Sequence, residues 1–275
     1  MNTVKEKWII FAASDFKFYV IEDYTKSMKD SADIILTHDI DFISQSPFDK
    51  LLVMHSTFNH LNFNQQSLDK LQKYNMCLLN VEPLNITRHV NNIKCMREIY
   101  RDMKIYDYSL ANIKILKDND IINVEHLPYN KTNNENTLLT NLYDNTEKVY
   151  DFGLIVYDYQ KRDNTHVDRK SAVIHYLQDH GFSVYLITGW GIERDRELAK
   201  CKIILNIHGV HYGECINIFE HVRCDRLLHA GFKILSEESY ELDDGYKKLF
   251  SNLKIIPYSK FLQLNHADDV WKSIE

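Results

Sequence analysis

The sequence predicts an α/β protein of two halves with a cleft between them, and three observations carry the prediction. Short apolar runs alternate with amphipathic stretches along the 275-residue chain, the pattern of βα units that stack into mainly parallel sheets. A polar stretch near the middle, YNKTNNEN at 129–136, has the composition of a surface loop or hinge and divides the series. The stretch 202–239, KIILNIHGVHYGECINIFEHVRCDRLLHAGFKILSEES, reads as an apolar strand, a polar loop, a helix and a second strand.

Taken in order, the first half offers strands at 8–13, 34–37, 51–55, 76–81 and 104–108. Amphipathic segments such as 66–73 and 88–101 lie between them, and 111–116 and 124–127 continue the alternation. A short helix is expected at 138–143, and a boundary near 130–148 divides the chain into domains 1–140 and 141–275. The second series runs strand 150–156, helix 169–180, strand 184–187, helix 193–200 and strand 203–207. A helix is expected to start near Glu214, carry Glu220, Arg223 and Arg226, and stop at Gly231. Strands at 232–235 and 253–256 complete the half.

Bulk composition narrows the function. At 44% apolar and 26% charged residues the chain is in the globular range. A net charge of -6 argues against general nucleic-acid binding, which rests on neutralising phosphates. No run of about 18 apolar residues is present to span a membrane. The amino-terminal apolar run is too short for a signal peptide and reads as the first strand. Five cysteines without paired metal spacing read as reduced thiols, so a cytoplasmic protein is expected.

Polar residues gather where strands end, which is where open parallel sheets hold ligands. Asp158-Tyr159-Gln160-Lys161-Arg162 follow the first strand of the second half, and Thr188-Gly189-Trp190-Gly191 the second. His208-Gly209 follow the third, and Ser236-Glu237-Glu238 the fourth. Lys161 and Arg162, with a helix amino terminus, can neutralise a diphosphate. Glu220 can accept hydrogen bonds from ribose hydroxyls, or pair with Arg223 three residues on. Each group has a plainer use: Lys161-Arg162 as a solvated turn, Gly189-Trp190-Gly191 as a tight turn, His208 as an interior histidine. The P-loop, G-x-G-x-x-G and G-x-S-x-G patterns are absent. The thirteen histidines form no compact metal motif, so no metal site is read.

Several segments carry a resemblance: YDFGLIVYDYQKR, ITGWGIERDRELAKCKIILNIHG and FEHVRCDRLLHAGFKILSEES, with NVEPL at 80–84, YDYSLANI at 106–113 and HLPY at 126–129. Together they resemble nucleotide-sugar glycosyltransferases of the GT-B architecture, two Rossmann-like domains facing a central cleft. The resemblance is closest to a divergent group of bacteria and large DNA viruses. It implies a metal-independent, hexosyltransferase-like enzyme, retaining in one reading. The donor would be a nucleotide-diphosphate sugar bound in the second domain, with no further cofactor. The acceptor (a glycan, protein or small molecule) would meet the first.

The carry-over implies that Glu220 matches the later carboxylate of the family's E-x7-E signature and holds the ribose. It places Lys161 and Arg162 near the diphosphate and Ser236 and Glu237 beside the sugar nucleotide. Glu237 and His208 are the expected catalytic residues; Gly189, Gly191 and Arg223 join the binding set. In the first half, His38, His55 and Glu82 are candidates for an acceptor base. The sequence departs from the pattern at Tyr212, where the earlier carboxylate of E-x7-E would fall, and at Ala13-Ser14-Asp15, where many relatives carry a glycine-rich loop. The alternative function is a catalytically silent protein of the same architecture that binds a nucleotide or a glycan.

Overall fold

The structure is a computed structural model that describes residues 5–12, 21, 25, 32–55, 70–71, 73–84, 87–130, 133–156, 169–208, 217–240, 242, 244–265 and 270–274. The chain divides into two compact units, Met1–Thr132 and Asn133–Glu275.

In the first unit, β1 (Glu6–Phe11), β2 (Ala32–Thr37), β3 (Lys50–Met54), β4 (Met76–Asn80), β5 (Ile105–Asp107) and β6 (Val124–His126) form one sheet. Its order is β2-β1-β3-β4-β5-β6, with every pair parallel. The described helices are α1 (Ile40–Gln45), α2 (Thr87–Ile99) and α3 (Leu110–Asp118). Residues 111–116 therefore continue the alternation as a helix, which Ser109 caps by accepting from the Asn112 N–H. The central strands are almost continuously apolar, and Ile9, Ile10, Leu51, Leu52, Val53 and Leu78 are wholly buried. That composition is what a parallel sheet covered on both faces requires.

The second unit runs α4 (Asn133–Asn145), β7 (Tyr150–Ile155), α5 (Arg169–Asp179), β8 (Val184–Ile187), α6 (Gly191–Ala199), β9 (Cys201–Asn206), α7 (His221–His229) and β10 (Ile234–Glu237). It ends with α8 (Asp244–Leu249), β11 (Leu253–Ile256), α9 (Tyr258–Phe261) and α10 (Val270–Ser273). The sheet order is β11-β10-β9-β7-β8, again all parallel. Both units thus use one winding: the second strand lies outside the first, and the third begins growth on the other side. The switch points fall between β1 and β3 and between β7 and β9.

Alternation along the strands of the second unit assigns its two faces. Ile203, Leu205 and Leu235 join Val173, Ile174 and Leu177 of α5 and Phe261 of α9 in one core. Ile204 and Ile234 join Leu198 of α6, Cys224, Leu227 and Leu228 of α7 and Leu139 of α4 in the other. Helices on both faces make three layers.

Two expectations are corrected. The helix expected near Glu214 begins at His221, and residues 217–220 are not helical. Ile218 and Phe219 are sunk into the core at 1% exposure, and the Tyr240 N–H holds the Asn217 carbonyl at 2.6 Å, so the approach stays outside the helix. The end of the polar hinge, 133–136, is the first turn of α4 rather than loop. Leu139, Leu142 and Tyr143 pack on the core of the second unit, and this burial draws polar neighbours into the helix.

Candidate functional site

The carboxyl edge of the second sheet gathers polar side chains on both faces. Asn206 and Ser236 pair in register on β9 and β10 and share the α7 face with Ile204 and Ile234. Both are wholly buried, and Asn206 Nδ2 donates to Ser236 Oγ at 3.0 Å. Arg223, in the first turn of α7, donates through Nη1 to Asn206 Oδ1 at 3.4 Å. Its Nη2 pairs with Glu220 at 2.7 Å. Glu220 is the residue that precedes α7, and its side chain caps nothing. The i,i+3 pair foreseen from spacing is therefore formed, at the mouth of the helix instead of along its side.

Glu237 projects from the opposite face, the one shared by Leu235 and α5. It is 3% exposed, and its carboxylate pairs with Arg169, the first residue of α5. Asn217 Nδ2 also donates to Glu237 Oε1 at 3.4 Å, and the His208 backbone N–H donates to Oε2 at 3.2 Å. A buried carboxylate needs such partners to stay charged. The Arg169 guanidinium carbon lies 3.8 Å from the centre of the Tyr258 ring, and the Tyr258 hydroxyl donates to the Arg169 carbonyl at 3.0 Å.

His208 stands between the two groups. Its ring Nε2 is 3.0 Å from the Ser239 hydroxyl, and the charges of Glu237, Glu220 and Arg223 act on the ring. Burial lowers the imidazole below its usual value, so the ring is neutral at pH 7.

Of the residues expected from the sequence, Glu237, His208, Ser236, Glu220 and Arg223 are thus brought to one edge. Lys161 and Arg162 lie outside the described residues, as do Tyr212, Glu214 and Ala13-Ser14-Asp15. Gly189 lies in the turn between β8 and α6 and Gly191 is the first residue of α6, and among the described residues no hydrogen bond joins them to the edge cluster. Their φ angles of +88 and +64 explain the glycines by backbone conformation, since a Cβ at either would meet nothing within 4 Å.

Sequence reasoning missed Arg169, Asn206, Asn217 and Tyr258. Arg169 was detectable as a basic residue opening the helix that follows β7 in the chain, where a parallel sheet presents groups to a ligand. Asn206 was detectable as a polar residue closing an apolar strand.

The first unit carries a second polar cluster at its own carboxyl edge. Asp107, wholly buried, accepts from Asn80 Nδ2 at 2.7 Å, the Ser109 N–H at 2.8 Å and Asn112 Nδ2 at 3.0 Å. Both amides also donate to the Glu82 carbonyl, and Asn112 Oδ1 accepts from the Leu84 N–H. The segments NVEPL and YDYSLANI are therefore fastened to each other through this carboxylate. Of the base candidates, Glu82 contributes its backbone to this lock and His38 lies just past β2. His55 is wholly buried after β3, edge-on to His89 with ring centres 5.8 Å apart.

No family model matches the chain. Three proteins of Acanthamoeba polyphaga mimivirus are similar to it. "Uncharacterized protein L140" is 29% identical over 257 residues, 93% of this chain and 77% of that protein. "Uncharacterized protein L137" is 32% identical over 205 residues, covering 73% of this chain but 26% of the relative. "Uncharacterized protein L138" is 31% identical over 209 residues, 74% of this chain and 22% of that protein. The chain thus spans most of one relative and about a quarter of the other two.

Proposed function

We propose that the protein is a glycosyltransferase that moves a sugar from a nucleotide-diphosphate sugar to an acceptor. On this reading the parallel-sheet units are Rossmann-like domains of a GT-B enzyme facing a central cleft, the second holding the donor and the first the acceptor. The observation that carries it is the gathering of Asn206, His208, Glu220, Arg223, Ser236 and Glu237 at the carboxyl edge beside a topological switch point. Ligands of open α/β sheets bind at that place. As the bond between sugar and phosphate breaks, negative charge grows on the diphosphate, and preorganised donors lower its energy. Arg223, held by Glu220 and Asn206, is preorganised in that sense. Glu220, partly exposed at the start of α7, remains the residue for the ribose hydroxyls. The neutral His208 ring faces the sugar and can accept a proton.

Incubation with UDP-, GDP-, ADP- and CMP-sugars tests this. One nucleotide family is expected to raise the melting temperature by mass action, and its sugar to be released slowly to water. Neither effect with any donor would end the reading. Glu237 motivates a second reading, a protein that binds the nucleotide without turning it over: its two oxygens already accept from Arg169, Asn217 and His208, which suits a holding role better than chemistry. A thermal shift with no sugar release, with or without candidate acceptors, is the outcome that reading expects.

A further inference from the structure

We propose that Arg169, seated on Tyr258 and partly neutralised by Glu237, is an anion-reading residue of the second unit besides Arg223, and that its ligand is a diphosphate group. The inference rests on the nucleotide-sugar reading and deepens it by naming the group that meets the phosphates. Three features of the arginine support it.

Its charge is already committed to recognition geometry. The guanidinium lies over the Tyr258 ring, which fixes its plane. The backbone bond from the Tyr258 hydroxyl to the Arg169 carbonyl fixes the arginine's main chain as well. A quarter of the Arg169 side chain stays exposed, while Glu237 is sealed at 4%, so an arriving anion meets the arginine first.

Its donor capacity is not used up. Nη2 serves Glu237, but Nε is buried and, among the described residues, bonds to no acceptor. A buried N–H without a partner costs free energy that a phosphate oxygen would recover. The fork of an arginine suits two phosphate oxygens at once.

Its resting partner is itself an anion. Glu237 supplies one carboxylate where a diphosphate would supply several oxygens. The pair therefore keeps the cation from being buried alone and leaves part of its fork for a ligand. Asn217 and the His208 N–H hold Glu237 from the other side, so the carboxylate remains satisfied when the arginine turns to a phosphate.

Titration of the full chain with inorganic pyrophosphate, followed by calorimetry, is the experiment. Wild type is expected to bind, and Arg169→Gln to lose at least about 10-fold in affinity. Arg169→Lys keeps the charge without the fork and is expected to lie between. Glu237→Gln removes the competing charge and is expected to bind more tightly than wild type. Circular dichroism establishes that each variant is folded, and Arg169→Lys carries the test should Arg169→Gln unfold. No pyrophosphate binding by wild type, or equal affinity in folded Arg169→Gln or Arg169→Lys, would overturn the inference. Weaker binding by Glu237→Gln would overturn the neutralising role given to Glu237. Nucleotide diphosphates form a separate arm: Arg169-dependent pyrophosphate binding without nucleotide binding keeps the anion site and sinks the nucleotide-sugar reading.

Discussion

Asp107 and His55 place two oppositely perturbed groups in one unit, and the perturbations make a testable pair. Burial pushes the Asp107 carboxyl up from 3.8 to about 7 against the pull of Asn80, Ser109 and Asn112. Burial lowers the His55 imidazole from 6.5 to about 4, with His89 adding to the effect and Asn80 opposing it. Between these limits the folded Asp107 keeps a proton that the unfolded chain releases, so its contribution falls as pH rises from about 4 to about 7. The folded His55 lacks a proton that the unfolded chain binds, so its contribution grows as pH rises from about 4 to 6.5. Relative to wild type, the stability of His55→Leu is therefore expected to slope downward with pH across this window, and that of Asp107→Asn upward. Melting curves at about pH 4.5, 5.5 and 6.5 read the signs, and parallel curves for all three proteins would refute the assignment. A second residue-scale test concerns Asp195, which is 1% exposed and takes both terminal nitrogens of the buried Arg226 at 2.8 and 2.7 Å. Asp195→Ala takes the paired carboxylate from that buried cation and is expected to cost about 3–5 kcal/mol in urea unfolding; a loss below about 1 kcal/mol would mean that the pair is dispensable.

Among the elements, β7 shows how closely the second sheet is packed. A Cβ at Gly153 would sit 2.6 Å from Cys201 Sγ and 3.0 Å from Ile187 Cδ1. Cys201 is wholly buried on β9, where apolar surroundings hold its thiol up to about 12. Gly153→Ala is expected to cost about 1–3 kcal/mol by overpacking. Adding Cys201→Ala removes the sulfur that the new methyl strikes, so the double variant is expected to be more stable than the sum of the two singles. Strict additivity in denaturant unfolding would show that the clash is relieved elsewhere. The same strand leads into Arg169 through the β7–α5 connection, so its packing bears on the candidate site and not only on the core.

At the scale of the molecule, the second unit has its own sheet and cores. Among the described residues its five strands pair with one another, and its two cores draw on helices from 133 onward. A fragment of residues 133–275 is therefore expected to fold and melt cooperatively alone. A chain cut at 141, the boundary expected from the sequence, lacks the first half of α4 and with it Leu139, a member of the core with α6 and α7. It is expected to melt lower, by about 4 °C or more if the loss reaches about 1 kcal/mol. Equal melting temperatures would mean that the first turns of α4 add nothing to the unit.

By itself the sequence determined the α/β class with parallel sheets and the approximate places of the strands, because burial on both faces of a parallel sheet writes long apolar runs into the chain. It also determined that His208, Ser236 and Glu237 lie near one edge, since strand ends are legible wherever an apolar run stops; Glu220 and Arg223 came to that edge only through the late start of α7. The partners of those residues were decided only by the tertiary structure. Arg169 and Glu237 are 68 positions apart, and Asn80 and Asp107 are 27 apart, so no local pattern announces either contact. The late start of α7 was likewise settled by burial of Ile218 and Phe219 and by the Tyr240–Asn217 backbone bond, against a sequence that reads as helix from Glu214. Periodicity records which face of an element is buried; it does not record what a side chain meets when distant strand ends are brought side by side.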